Sequence, residues 1–199
     1  ERVIKETILS KFPYANFVAE ESGGDSSLSE FWVVDPVDGT RSFSHGIPFW
    51  GVLIALWRNN KFVLGVNYYP SSGVVYAERG KGAFLDGKKI HVSDICDFGK
   101  AYFAYGNLKY IKKKKELIEL TEKCASCRSW ELTFSSFLLA QGKVDALLDA
   151  YAQIWDVAAY KVIIEEAGGK ITRPDGSEIL PDDKRGYVAT NGLLHDEVI

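Results

Sequence analysis

Apolar positions in the first twelve residues fall at Val3, Ile4, Ile8 and Phe12, close to one face of a helix, with charged residues opposite and Pro13 as the stop. Phe17-Val18-Ala19 reads as a short strand running into Glu20-Glu21-Ser22, and residues 23–29 as a polar loop. Phe31-Trp32-Val33-Val34 is continuously apolar, as suits a strand covered on both faces. Residues 41–48 predict a short helix and a turn. Strand patterns then dominate: 50–57, 62–69 and 74–77, separated by Asn59-Asn60 and by Pro70-Ser71-Ser72-Gly73, with Gly80-Lys81-Gly82 and Asp86-Gly87 punctuating the end. This block predicts an antiparallel meander. From Ala101 the order changes to strand 101–105, helix 111–123, helix 132–141 closed by Gly142, strand 144–148, helix 155–167 closed by Gly168-Gly169, strands 171–172 and 186–189, and a helical end. The pattern divides the chain into an α+β region with a meander, residues 1–100, and an α/β region, residues 101–199. No internal repeat or low-complexity segment interrupts it.

The junction after Val34 carries candidate chemistry. Asp35 stands where the strand runs out, because Pro36 has no amide hydrogen and fixes φ, so the ladder is expected to stop there. Asp38-Gly39-Thr40 follows, with Gly39 permitting a tight turn or a close backbone approach. Two readings fit these residues: an Asx-type turn with Asp38 as a helix cap, or a divalent-cation site beside free amides that cradle a phosphate. Adjacent acids such as Glu20-Glu21 are usually solvated, but their strand end also suits a ligand role. Downstream, Asp149 ends a strand, and Asp156 opens an apolar helix, where it is either an N-cap or a carboxylate aimed at a cation.

Composition narrows the class. In 199 residues, 46% are hydrophobic and 13% aromatic, enough for a substantial core. A formal charge of −3 disfavours a general nucleic-acid or anionic-membrane binder. No apolar run approaches the ~20 residues that span a bilayer, and no signal-peptide pattern opens the chain. Cys96, Cys124 and Cys127 are too few for a disulfide framework and fit a reducing cytoplasm. Cys124-Ala-Ser-Cys127 lacks the second pair or the histidines that a zinc site needs, and reads as ordinary buried thiols. Lys112 to Lys115 reads as a solvated helix start or loop, since no aromatic interleaving accompanies it. The chain opens at Glu1 within a helical pattern and contains no methionine, which points to a fragment or to a sequence with residues dropped.

Taken together, Ala19-Glu20-Glu21-Ser22, Asp35-Pro36-Val37-Asp38-Gly39-Thr40, Gly80-Lys81-Gly82-Ala83-Phe84, Trp155-Asp156-Val157-Ala158-Ala159 and Glu166-Ala167-Gly168-Gly169 resemble the inositol monophosphatase family, in its order and near its spacings. The resemblance covers essentially the whole chain. It implies a layered α-β-α-β-α sandwich of the inositol monophosphatase and fructose-1,6-bisphosphatase type, an α/β (α+β) fold that is usually dimeric. It also implies a magnesium-dependent, lithium-sensitive phosphatase. Carried across residue by residue, it implies that Glu20, Asp35 and the Val37 carbonyl hold a first Mg²⁺, that Asp35, Asp38 and Asp156 hold a second, and that Glu20 helps hold a third, looser ion. Gly39 and Thr40 would face the phosphate through their amides, with the Thr40 hydroxyl orienting the attacking water, and Asp149 would contact substrate hydroxyls. Thr40, Asp38 and Glu20 are thus the expected catalytic group, and Gly39, Thr40, Asp149 and Asp156 the phosphate and substrate contacts. An all-oxygen donor set suits hard Mg²⁺ and disfavours zinc. Metals would neutralise the phosphate, activate water for in-line attack and stabilise the departing oxygen, with no covalent enzyme intermediate.

Three departures from the family pattern matter. The family's Thr and Asp upstream of the first helix lie outside this sequence. Ser129-Trp130-Glu131-Leu132 stands where many members carry a Gly/Ala-rich segment, and an inward Glu131 would repel a phosphate, so no substrate contact is carried onto it. Asp149 is shorter than the Glu common in inositol phosphatases. The expected substrate is a small sugar or sugar-alcohol phosphate. Histidinol phosphate is the alternative, because Phe49 to Leu56 is similar to the histidinol-phosphate phosphatases, and a sugar bisphosphate is a further one. From a different class, the acids could serve a non-catalytic metal-binding or interaction module. The expected partners are a small phosphate ester and a second copy of the chain, with no nucleic acid and no membrane.

Overall fold

A computed structural model describes residues 1–182 and 184–199, and for Leu132 the backbone alone. Helix α1 (Arg2–Leu9) leads into β1 (Phe17–Ala19), β2 (Gly23–Gly24) and β3 (Glu30–Asp38). After α2 (Thr40–Ser44) the meander runs through β4 (Gly51–Arg58), β5 (Lys61–Tyr69), β6 (Gly73–Glu78), β7 (Gly82–Leu85) and β8 (Lys88–Ile90). These strands form one sheet in the order β2-β1-β3-β4-β5-β6-β7-β8, antiparallel except where β1 lies parallel to β3. The second half contributes β9 (Tyr102–Tyr105), α3 (Lys114–Lys123), β10 (Ser126–Ser129), α4 (Leu132–Leu139), β11 (Ala146–Asp149), α5 (Ile154–Glu166), β12 (Lys170–Thr172), β13 (Tyr187–Thr190) and α6 (His195–Val198). Its sheet runs β10-β9-β11-β13-β12, with β9 parallel to both neighbours.

The layers follow from which faces are apolar. Helix α5 is apolar all round, and Val157 to Ile164 are all buried, Lys161 among them. A helix with no polar face belongs in an interior. It lies between the sheets, against β3 to β7 on one side and β12 on the other, with α4 beside it. Packing on β5 is direct: a Cβ on Gly65 would stand 2.2 Å from the Ala159 carbonyl oxygen. On the far face of the second sheet, Phe103, Val188, Leu117 and Val198 close a separate core under α3 and α6. Phe12, just beyond α1, packs its ring on Trp32 at 5.6 Å. Trp32 alternates with Phe31 and Val33 of the central core, so the segment that follows α1 packs on the outer face of the first sheet, while α1 itself buries no residue. The result is an α-β-α-β-α sandwich. Among the described residues, no helix is long and apolar enough to cross a membrane.

Five expectations need correction. The ladder does not stop at Asp35. It pairs Asp35 with Leu53 and then Asp38 with Gly51, so one extra residue bulges out at Pro36-Val37. A bulge needs no ladder donor, which is why Pro36 is tolerated inside β3. Residues 23–29 include the two-residue strand β2 rather than only loop. Ser126–Ser129, not read as a strand, pairs at the sheet edge, where a short polar strand has no apolar alternation to betray it. The helix expected from 111 begins at Lys114. Ile111 is buried, but Lys112 to Lys115 are exposed, and like charges at a helix N-terminus oppose an earlier start. The thiols also differ from the buried pair expected, since Cys124 and Cys127 are half-buried and Cys96 is exposed.

Candidate active site

The bulge in β3 is what brings Asp35 and Asp38 together. In a regular strand, residues three apart point to opposite faces, and one inserted residue restores them to the same side. Asp35 is 2% exposed and its Oδ1 accepts the Val37 amide at 3.0 Å. Gly39 then turns the chain with φ +75°, and a Cβ there would stand 2.6 Å from the Phe49 carbonyl oxygen, so the position demands glycine. Thr40 follows as the first residue of α2. From the second half, Asp156 occupies the third position of α5, and its Oδ2 accepts the Gln153 amide at 2.7 Å in a capping box. The reading of Asp156 as an N-cap needs correction: Gln153 is the N-cap, and Asp156, the third helical residue, accepts its amide with one oxygen while the carboxylate still reaches the cluster.

Asp35, Asp38 and Asp156 each offer a carboxylate oxygen within 4.8 Å of the others'. Glu20, at the end of β1, meets Asp35 from the exposed side in a carboxyl–carboxylate hydrogen bond. So much negative charge in one place disfavours ionisation. Burial, then the charges of Asp38, Glu20 and Asp156, pushes Asp35 up to about 9. Burial and Asp156 push Asp38 up to about 8, and burial foremost lifts Asp156 to about 7. Glu20 is raised as well, by burial and then by Glu21 and Glu1, while its hydrogen bond with Asp35 acts the other way. Carboxyls in this condition are held ionised by a cation. The donors on offer are all oxygens, which fits a hard divalent ion such as Mg²⁺.

These acids line one side of a cavity of about 700 Å³, together with the Val37, Gly39 and Thr40 segment. Asp149, the last residue of β11, lies on the same cavity, 7% exposed, and burial pushes it up to about 6. All eight residues singled out in the sequence thus line a single space. Gly80-Lys81-Gly82 and Glu166 do not. Glu166 accepts the Gly80 and Gly82 amides at 2.9 and 2.8 Å, so these two family motifs latch the meander to the end of α5.

Other lining groups were not selected by sequence. Glu131 does face the cavity, with its Oε1 accepting from Ser42 Oγ at 2.6 Å. Thr133 donates to Asp38 Oδ2 and is itself bonded to the Tyr69 hydroxyl at 2.8 Å. Tyr110 and Tyr151 stack at the mouth with centroids 5.3 Å apart. One signal pointed to Thr133: Thr133, Ser135 and Ser136 put three hydroxyls into an otherwise apolar helix, and all three are buried.

Comparison with known proteins converges on one group. The model of the inositol monophosphatase family matches residues 1–199. The chain is 34% identical over 209 residues to the histidinol-phosphatase of Mycobacterium tuberculosis, covering all of this chain and 80% of that protein. It is equally 34% identical over 204 residues to the fructose-1,6-bisphosphatase/inositol-1-monophosphatase of Thermotoga maritima, covering 77% of it. The structure of an inositol monophosphatase from Anabaena superposes with a TM-score of 0.91 at 30% identity, over 99% of this chain and 81% of that one. With its motifs, its layered fold and its acidic cavity in agreement, the chain belongs to the inositol monophosphatase family, a family of metal-dependent phosphatases.

Proposed function

We propose that this protein hydrolyses a small phosphate monoester, with Asp35, Asp38 and Asp156 holding a divalent cation and Glu20 with the Val37 carbonyl completing a second position. The observation that carries this reading is the convergence of three aspartates, from β3 and α5, beside a helix start that leaves amides free. A bound cation of this kind supplies charge neutralisation to the phosphate and Lewis acidity toward water. The chain's own groups do the rest. The first-turn amides of α2, from Thr40 onward, have no intrahelical acceptor and are available to phosphate oxygens. Arg41 adds a positive charge to the same wall. The Thr40 hydroxyl, at the cavity surface, orients the water for in-line attack. Asp149 takes a hydroxyl of the leaving alcohol.

For the alcohol, a sugar or sugar alcohol is the first reading, and Asp149 with Asn107 and Ser129 supplies its polar partners. A specific observation favours a second. Glu131 adds a carboxylate to the alcohol side, where its charge opposes ionisation of Asp149. Carboxylates beside a stacked tyrosine pair suit an alcohol that carries a cation, as histidinol phosphate does.

Asp156→Asn tests the core of this reading. Asn keeps a side-chain oxygen that can accept the Gln153 amide, so the thermal midpoint is expected to hold while Mg²⁺-dependent phosphate release falls by about 10²-fold or more. Unchanged release would remove Asp156 from the site. Comparing release from inositol 1-phosphate, fructose 1,6-bisphosphate and histidinol phosphate then ranks the alcohols, and turnover of none of them would end the substrate ranking.

A further inference from the structure

Behind Asp38 lies a set of hydroxyls in the layer between the two sheets. Tyr69 and Thr133 are 0% and 1% exposed. Tyr160 and the Tyr187–Ser136 pair are fully enclosed as well, and Asp38 acts electrostatically on all three tyrosines. Burying hydroxyls is unfavourable unless they are bonded. Two of them are bonded in series and the series ends on Asp38. Thr133 is the only side-chain hydrogen-bond partner of Asp38 among the described residues.

We propose that Tyr69 and Thr133 act as positioning residues, a hydrogen-bonded strut that sets the orientation of the Asp38 carboxylate for cation capture. The direction of the bonds follows from proton counting. An ionised carboxylate only accepts, so Thr133 gives its single proton to Asp38. Its oxygen, 2.8 Å from the Tyr69 hydroxyl, must then accept the phenolic proton. Tyr69 keeps that proton, since burial and the charge of Asp38 raise its ionisation well above the ordinary phenol range.

The strut is anchored at both ends. Tyr69 is the last residue of β5, with its ring against Phe134 and Phe137 at 5.6 and 5.3 Å. Thr133 sits in the first turn of α4. A carboxylate on a bulged strand end has freedom that a regular strand would remove, and the strut removes it from the side of the second half. Groups in this relation to a metal-binding residue govern affinity without touching the ion.

The inference rests on the reading of Asp38 as a cation ligand, so the two are tested together. Mn²⁺ serves as a spectroscopic substitute for Mg²⁺, and its affinity is measured by titration with electron paramagnetic resonance. Thr133→Val, which keeps the shape and removes the hydroxyl, is expected to weaken Mn²⁺ binding by about 10- to 100-fold. Thr133→Ser is expected to restore most of it. Tyr69→Phe is expected to weaken binding in the same direction and by less. A merely structural role for Thr133 would lower the thermal midpoint without this affinity loss and Ser rescue. Unchanged affinity in Thr133→Val overturns the strut. If that variant does not fold, as judged by circular dichroism, Tyr69→Phe decides, and unchanged affinity there overturns it equally. Asp38→Asn separates the two ideas: retained Mn²⁺ binding in it removes Asp38 as a ligand, whereas lost binding in it beside an unaffected Thr133→Val removes only the strut.

Discussion

Glu131 places a sixth carboxylate in a cavity that already holds Glu20, Asp35, Asp38, Asp149 and Asp156. On the reading proposed above, the first five would serve a cation or a hydroxyl. Glu131 would instead meet the substrate's alcohol side, where its influence depends on the charge that arrives. At a separation of about 8 Å and an effective dielectric of about 40, one charge contributes about 1 kcal/mol, roughly a factor of five. Glu131→Gln is accordingly expected to raise KM for histidinol phosphate by about fivefold and to leave KM for inositol 1-phosphate, whose alcohol carries no charge, nearly unchanged. Steady-state kinetics on the two substrates checks this, and parallel shifts would remove Glu131 as a discriminator. Glu131 was visible in the sequence as a departure from the family pattern. Its direction was not, because a residue that precedes a helix can face either way until Ser42 of α2 comes into contact with it.

At the scale of elements, helix α5 joins the two halves. Its apolar run was legible almost to the residue, read as 155–167 and found at Ile154–Glu166. The closeness of its approach to β5 was not, since a glycine in a strand pattern marks a bulge, a bend or a close contact without choosing among them. At Gly65 it is a close contact. Gly65→Ala is expected to destabilise the fold by about 1–3 kcal/mol through overpacking against Ala159, even though alanine is no worse than glycine in a strand by conformational entropy. Denaturant unfolding with an unchanged m-value checks this, and an unchanged midpoint would show that α5 can shift. Because α5 also carries Asp156, such a shift would move one carboxylate relative to the two on β3. The bulge at Pro36-Val37 is the complementary element. Pro36 signalled an interruption, and only pairing with β4 showed that the ladder resumes one residue out of register.

For the whole molecule, gathering the acids makes folding and ionisation oppose one another. Asp38, Asp156 and Asp149 have folded-state values raised to about 8, 7 and 6, and Asp35 to about 9. The folded state therefore binds more protons than the unfolded chain above about pH 4. That contribution is fully present below the unfolded carboxyl range and is lost as pH rises through these values. The thermal midpoint of the metal-free protein is expected to fall between about pH 5 and about pH 8. Saturating Mg²⁺ is expected to flatten or reverse the fall, because a cation favours the ionised cluster. Calorimetry in EDTA and in Mg²⁺ measures both limbs, and a metal-free midpoint that rises over this interval would contradict the arrangement of charges.

The sequence by itself determined most of the elements, their order and the residue types at the site. Periodicity and turn residues act within a few positions of each other, and the family motifs are themselves short. That was enough to single out Glu20, Asp35, Asp38, Thr40, Asp149 and Asp156. Tertiary structure alone decided that a bulge turns Asp35 and Asp38 to one side, that Asp156 accepts the Gln153 amide and still reaches them, and that Glu166 latches glycines of the meander rather than serving the site. It alone placed Tyr69 and Thr133, 64 residues apart, in one hydrogen-bonded series behind Asp38. Those outcomes depend on strand register and on contacts between distant segments, which are set when the two sheets close on α5, and no local pattern encodes them.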